Sequence, residues 1–162
     1  MEDKDYAAEY QALKAANDQL REHGKQWLIE TLNQLCGEIN RGLTQQPQPQ
    51  VIQVGRQAWE FKVGNSLMVG ERVGVRYRGR TLIIEIGWPR EPQHGHVPDR
   101  GLARGRVSLS QNTMLEAQAT DELILKHRGA DEAAWYVIKS SQLGEIVTES
   151  RLRAYLQTVL AS

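Results

Sequence analysis

Cysteine occurs once, at Cys36, and phenylalanine once, at Phe61. A single thiol leaves no internal disulfide to staple the chain, so a reducing, cytoplasmic setting is expected. No apolar run approaches the ~20 residues of a membrane-crossing helix, and no membrane is expected as a partner. The opening MEDKDYAAEY is acidic and lacks the basic-then-apolar order of a secretion signal. Phosphate-cradling glycine patterns are missing as well: there is no GK[ST], and the glycines of RGLARGR are not set between a strand and a helix. No Gly-x-Ser-x-Gly elbow exists, and Cys36 sits among Leu32, Leu35 and Ile39, where a thiol behaves as a small apolar group. These absences support neither an enzyme nor a cofactor.

Net charge is absent too, since 20 basic side chains offset 20 acidic ones. Its distribution is uneven. Residues 1–50 carry 5 basic and 8 acidic groups (−3), residues 51–110 carry 10 and 5 (+5), and residues 111–162 carry 5 and 7 (−2). A local patch steers partners even when the total cancels.

What the chain has is the material of one domain: 162 residues, 40 % of them apolar and 25 % charged. The first forty residues are rich in Ala, Leu, Lys, Glu and Gln, which favour helix. Tyr6, Tyr10, Leu13, Asn17 and Leu20 recur at heptad spacing, and Leu28, Leu32, Leu35 and Ile39 repeat the rhythm one residue out of phase. The phase changes at His23-Gly24-Lys25. Glycine costs about 1 kcal/mol against alanine inside a helix, so two helices meeting at a turn are expected there, with one long helix as the alternative. The segment TQQPQPQ, residues 44–50, cannot continue a helix and reads as an extended linker.

From Val51 the period becomes two. Trp59, Phe61 and Val63 alternate with Glu60 and Lys62; Val73, Val75 and Tyr77 alternate with arginines; TLIIEIGW follows a turn at Gly79. Residues 88–106 form a long Pro- and Arg-rich loop, and strands resume over 106–110, 114–120, 122–128 and 134–139. Thr148 caps a final helix with Leu152, Tyr155, Leu156, Val159 and Leu160 on one face. The expected fold is α+β: an antiparallel meander with an N-terminal helical arm (1–43), a Pro/Gln linker (44–50) and a sheet domain (51–162) closed by a C-terminal amphipathic helix packed on the sheet.

Three clusters offer chemistry. His94 and His96, with Asp99 near, are weak candidates for a metal site, because no third imidazole or thiol stands close by. Arg72, Arg76, Arg78, Arg80, Arg104 and Arg106 could form a guanidinium-rich surface for anions or nucleic acid, with Trp88 as a stacking face. The same arginines could instead pair with Glu60, Glu71 and Glu85 on neighbouring strands. Tyr6, Tyr10, Leu13 and Leu20 make an apolar stripe that something must cover, and Asn17 occupies the place of the polar residue that sets register in two-stranded coiled coils. The expected function is therefore a non-enzymatic protein-interaction or self-association module acting through its N-terminal helices. An anion-binding module is the alternative.

Overall fold

The N-terminal run of strong helix formers is a single uninterrupted helix, α1 (Glu2–Leu43), in the computed structural model, which describes residues 2–43, 52–111 and 118–161. At 1.5 Å per residue it is about 63 Å long. The turn expected at His23-Gly24-Lys25 is replaced by continuous helix, and the reason lies in the packing. A Cβ at Gly24 would sit 2.8 Å from both Leu125 methyl carbons, so this glycine is where α1 comes down on the sheet. Trp135 Nε1 donates to the Gly24 carbonyl at 2.9 Å and ties the helix at the same spot. The change of hydrophobic phase thus marks a change of neighbour, not a bend.

Seven strands follow: β1 (Gln53–Val63), β2 (Ser66–Tyr77), β3 (Arg80–Trp88), β4 (Ala103–Ser110), β5 (Gln118–His127), β6 (Ala133–Lys139) and β7 (Gln142–Ile146). They pair in chain order as one antiparallel meander. Arg78 and Gly79 both have positive φ (51° and 82°), as a two-residue type I′ hairpin turn between β2 and β3 requires. β7 has mostly exposed side chains and no alternation to announce it, so periodicity misses it. The strand expected over 114–120 falls largely outside the described residues, as does the Pro/Gln linker. Helix α2 (Glu149–Leu160) begins where expected, with the Thr148 side chain accepting the Arg151 backbone N–H at 3.2 Å.

Both helices lie on one face of the sheet and share one core with it. Leu28, Leu32 and Leu35 of α1 and Leu152, Leu156 and Val159 of α2 pack over Val73, Ile84, Ile86, Val107, Leu123 and Trp135. Arg153 reaches Glu38 at 3.0 Å across the two helices. The second half of the arm is therefore bound into the sheet's own core, and Asn40 reinforces this by holding both backbone groups of Ile52 just before β1 (2.7 and 3.1 Å).

The other face is polar over its centre, and the β1–β2 hairpin curls across it. Gly70 and Gly87 stand opposite each other in β2 and β3, and a Cβ at Gly70 would lie 2.0 Å from the Ile86 carbonyl oxygen. This close approach lets the hairpin bring Phe61, Val63 and Met68 into a second, small apolar cluster, with Trp59 beside it. Trp59 Nε1 donates to Glu85 of β3 (2.9 Å), and Arg106 of β4 donates to the Lys62 carbonyl (3.4 Å).

Candidate interaction surfaces

The arginine cluster resolves into separate environments. Arg72, Glu85, Arg106 and Glu122 are direct cross-strand partners on β2, β3, β4 and β5, so they form a row of alternating sign across the polar face. Arg106 Nε donates to Glu122 at 2.7 Å, and Arg72 stacks on Trp59, 4.3 Å from the ring centre. Arg104 is buried between Asp99 (3.4 Å) and Glu122 (3.7 Å) and donates to the Leu123 carbonyl. Arg78 and Arg80 line a small recess with Val159, Leu160 and Ala161, beside the C-terminus of α2, where cations are favourable. Arg76 is exposed on β2. The six do not assemble into one cationic surface. A cleft of about 480 Å³ opens over the charged row, but Arg72 and Arg106 in its lining are matched by Glu85 and Glu122.

In the long loop the His94 ring and the His96 backbone are tied to the chain itself, while His96 is an exposed residue. Two single 3-10 turns, Pro92–His94 and Pro98–Arg100, shape this loop. His94 Nδ1 accepts the backbone N–H groups of Arg90 and Glu91 (3.2 Å each), which uses up its lone pair. The His96 backbone N–H donates to the Ser66 hydroxyl. Among the described residues no group of three or more His, Cys, Asp or Glu side chains could hold a metal ion. Cys36 is buried in the core, and burial pushes its thiol up to about 11, so at neutral pH it stays protonated and a poor nucleophile.

The apolar stripe of α1 divides at the edge of the sheet. Tyr6, Tyr10 and Leu13 are 71 %, 67 % and 60 % exposed, whereas Leu20 packs against the core. Tyr10 and Leu28 are eighteen residues apart, five turns at 3.6 residues per turn, and so share one side of the helix. The exposed stripe therefore continues the buried side of α1 out beyond the sheet, as the underside of an overhang. Asn17, where the overhang meets the body, has its side-chain oxygen shielded from solvent without a hydrogen-bond partner. At this junction Leu20, His23 and Trp27 of α1 and Trp135 of β6 border a cleft of about 480 Å³. Its rim holds Arg128 as well as Asp131 and Glu132, so it favours neither sign of charge.

Residues 54–58 of β1 are exposed on both faces of the strand, so the period of two expected from Val51 has a buried face only from Trp59 onward. Among the described residues no helix is long and apolar enough to cross a membrane. Compared with known protein families, curated proteins and solved structures, the chain matches none.

Proposed function

We propose that this chain is a non-enzymatic interaction module that self-associates through the overhanging half of α1. The observation that carries this reading is the run of three large apolar side chains, Tyr6, Tyr10 and Leu13, left in solvent on the side of the helix that is buried further along. The geometry favours an antiparallel partner. The sheet body lies on the same side as the stripe, so a parallel helix would run into it near Leu20, while an antiparallel one ends there. Pairing Tyr10 of each copy with Leu13 of the other confines the contact to residues 6–17.

Magnitudes decide the kind of association. Full burial of such a side chain contributes roughly 1.5–3 kcal/mol, so six that are about two-thirds exposed contribute roughly 6–12 kcal/mol in gross terms. Association costs an estimated 4–15 kcal/mol in lost freedom. The two are comparable, and the expected behaviour is a concentration-dependent dimer rather than an obligate one. Sedimentation velocity of the full chain from about 1 μM to about 1 mM spans the relevant affinities. The weight-average mass should rise with concentration, and Tyr10→Glu, at a largely exposed position, should weaken the rise. A wild-type chain that stays monomeric throughout, or a variant that associates equally well, refutes the reading.

A further inference from the structure

We propose that β1 is a homotypic pairing edge, through which two copies join antiparallel in the register centred on Ala58 to make one continuous sheet. The two edges of the meander differ. β7 is 5 residues long and its pairing with β6 is irregular, a short, broken edge of the kind that resists addition of another strand. β1 is 11 residues long, pairs with β2 over its whole length without a register shift, contains no proline, and among the described residues has a strand neighbour on one side only. Its first half is exposed on both faces, with Val54 at 38 %.

Charged side chains usually guard such an edge, and β1 carries Arg56, Glu60 and Lys62. Their order makes them complementary to themselves. A two-fold axis through an antiparallel pair sets one residue opposite its own copy. Centred on Ala58, it places Arg56 opposite Glu60, twice. Centred on Arg56 or Glu60 it opposes like residues, centred on Trp59 it sets Arg56 against Lys62, and centred on Gln57 it leaves both acidic and basic groups unmatched. Centred on Phe61 it sets Glu60 against Lys62 but overlaps only residues 59–63, so the Ala58 register alone pairs opposite charges over the whole of β1, and alanine at the axis allows close approach. The charged groups of the middle of the edge are available, while the Lys62 carbonyl at its end is already held by Arg106. Arg56 uses Nε and Nη2 on Glu71 and keeps Nη1 free, while Glu60 has no hydrogen-bond or ion-pair partner among the described residues. The inference is independent of the helix contact, since β1 and the overhang are different surfaces.

Crosslinking reads the register directly. Opposed residues in an antiparallel pair have Cα atoms about 4.5–5.5 Å apart, within the span a disulfide needs. In the full chain carrying Tyr10→Glu, which weakens the helix contact, Ala58→Cys should form a covalent dimer under mild oxidation, with the buried Cys36 uninvolved. Adding Glu60→Arg turns two attractive cross-strand pairs repulsive and should lower the dimer yield by about tenfold. Adding Arg56→Glu to that variant restores the opposite-sign pairs and the yield. Absence of the crosslink in the parent, an equal yield with Glu60→Arg, or failure of the double reversal to restore it each overturns the proposal. Far-UV circular dichroism of every variant confirms that the sheet is intact.

Discussion

Gly24→Ala sets two readings of α1 directly against each other. In an isolated helix the change is favourable by about 1 kcal/mol, because alanine gives up less backbone freedom than glycine. A hinge or turn between two helices would gain rigidity and stability from it. The structure demands the opposite sign. The added Cβ would meet both Leu125 methyl carbons at 2.8 Å, and Leu125 is fully buried between α1 and the sheet. Relief requires shifting Leu125 off its rotamer or lifting α1, and lifting α1 stretches the 2.9 Å bond from Trp135 Nε1 to the Gly24 carbonyl. Overpacking of this kind costs roughly 1–3 kcal/mol, so after the propensity gain a net loss of about 0–2 kcal/mol is expected. Larger β-branched residues extend the clash, and Gly24→Val should lose more than Gly24→Ala. Urea unfolding followed by tryptophan emission measures the midpoint. Leu125→Val serves as the control: if the clash is with Leu125, Gly24→Ala should cost less in that background, a coupling that a double-mutant cycle reads. A Gly24→Ala chain more stable than wild type by about 1 kcal/mol, with no coupling to Leu125, would refute the close-contact account.

Two further outcomes test the sheet. Gly70→Ala places a Cβ 2.0 Å from a backbone oxygen, which cannot swing aside as a side chain can. It should destabilise by about 3 kcal/mol or more, at the upper end for single changes, or release the β1–β2 hairpin, seen as loss of amide protection over 53–77. Wild-type stability and protection would contradict the bend. The Glu71 carboxyl is held below the usual carboxylate range, chiefly by hydrogen bonds from Arg56 and then by Lys25. A carboxylate with a lowered folded pKa contributes stability that is present above its unfolded value of about 4.3 and is lost as pH falls through the folded value. Glu71→Gln should therefore cost about 1 kcal/mol near neutrality, and the gap to wild type should close as the pH is taken well below 4; urea midpoints that keep the same gap in acid would contradict this.

The fold was legible wherever one face of an element is buried and the other is wet. Val73, Val75 and Tyr77 announce β2, and Leu152, Leu156 and Val159 announce α2, because each sits on a stripe whose period matches its backbone. Legibility failed where both faces share one environment. β7 is exposed on both sides over most of its length, and no alternation can mark a strand with no inside. It failed differently at Gly24. Read locally, a glycine between two hydrophobic seams is a break. Its cause is Leu125, 101 positions further along the sequence, and no window short enough to show periodicity contains both.

The candidate surfaces follow the same physics. Arginines 72 and 106 read as a patch along the chain because sequence shows each strand's charges one strand at a time. Their carboxylate neighbours Glu85 and Glu122 lie on adjacent strands, and only the register turns the apparent patch into an alternating row. The N-terminal stripe was visible for the converse reason. A helix displays its faces within a few residues, so Tyr6, Tyr10 and Leu13 appear as one surface before any fold is known. Sequence could not tell how far along α1 the sheet would reach. The body meets the helix from about Asn17 onward, which covers Leu20 and leaves the three residues before it uncovered. The point where the sheet ends, rather than the stripe itself, separates the buried half of α1 from the overhang left in solvent, and the tie between Gly24 and Trp135 holds α1 in place close to that point.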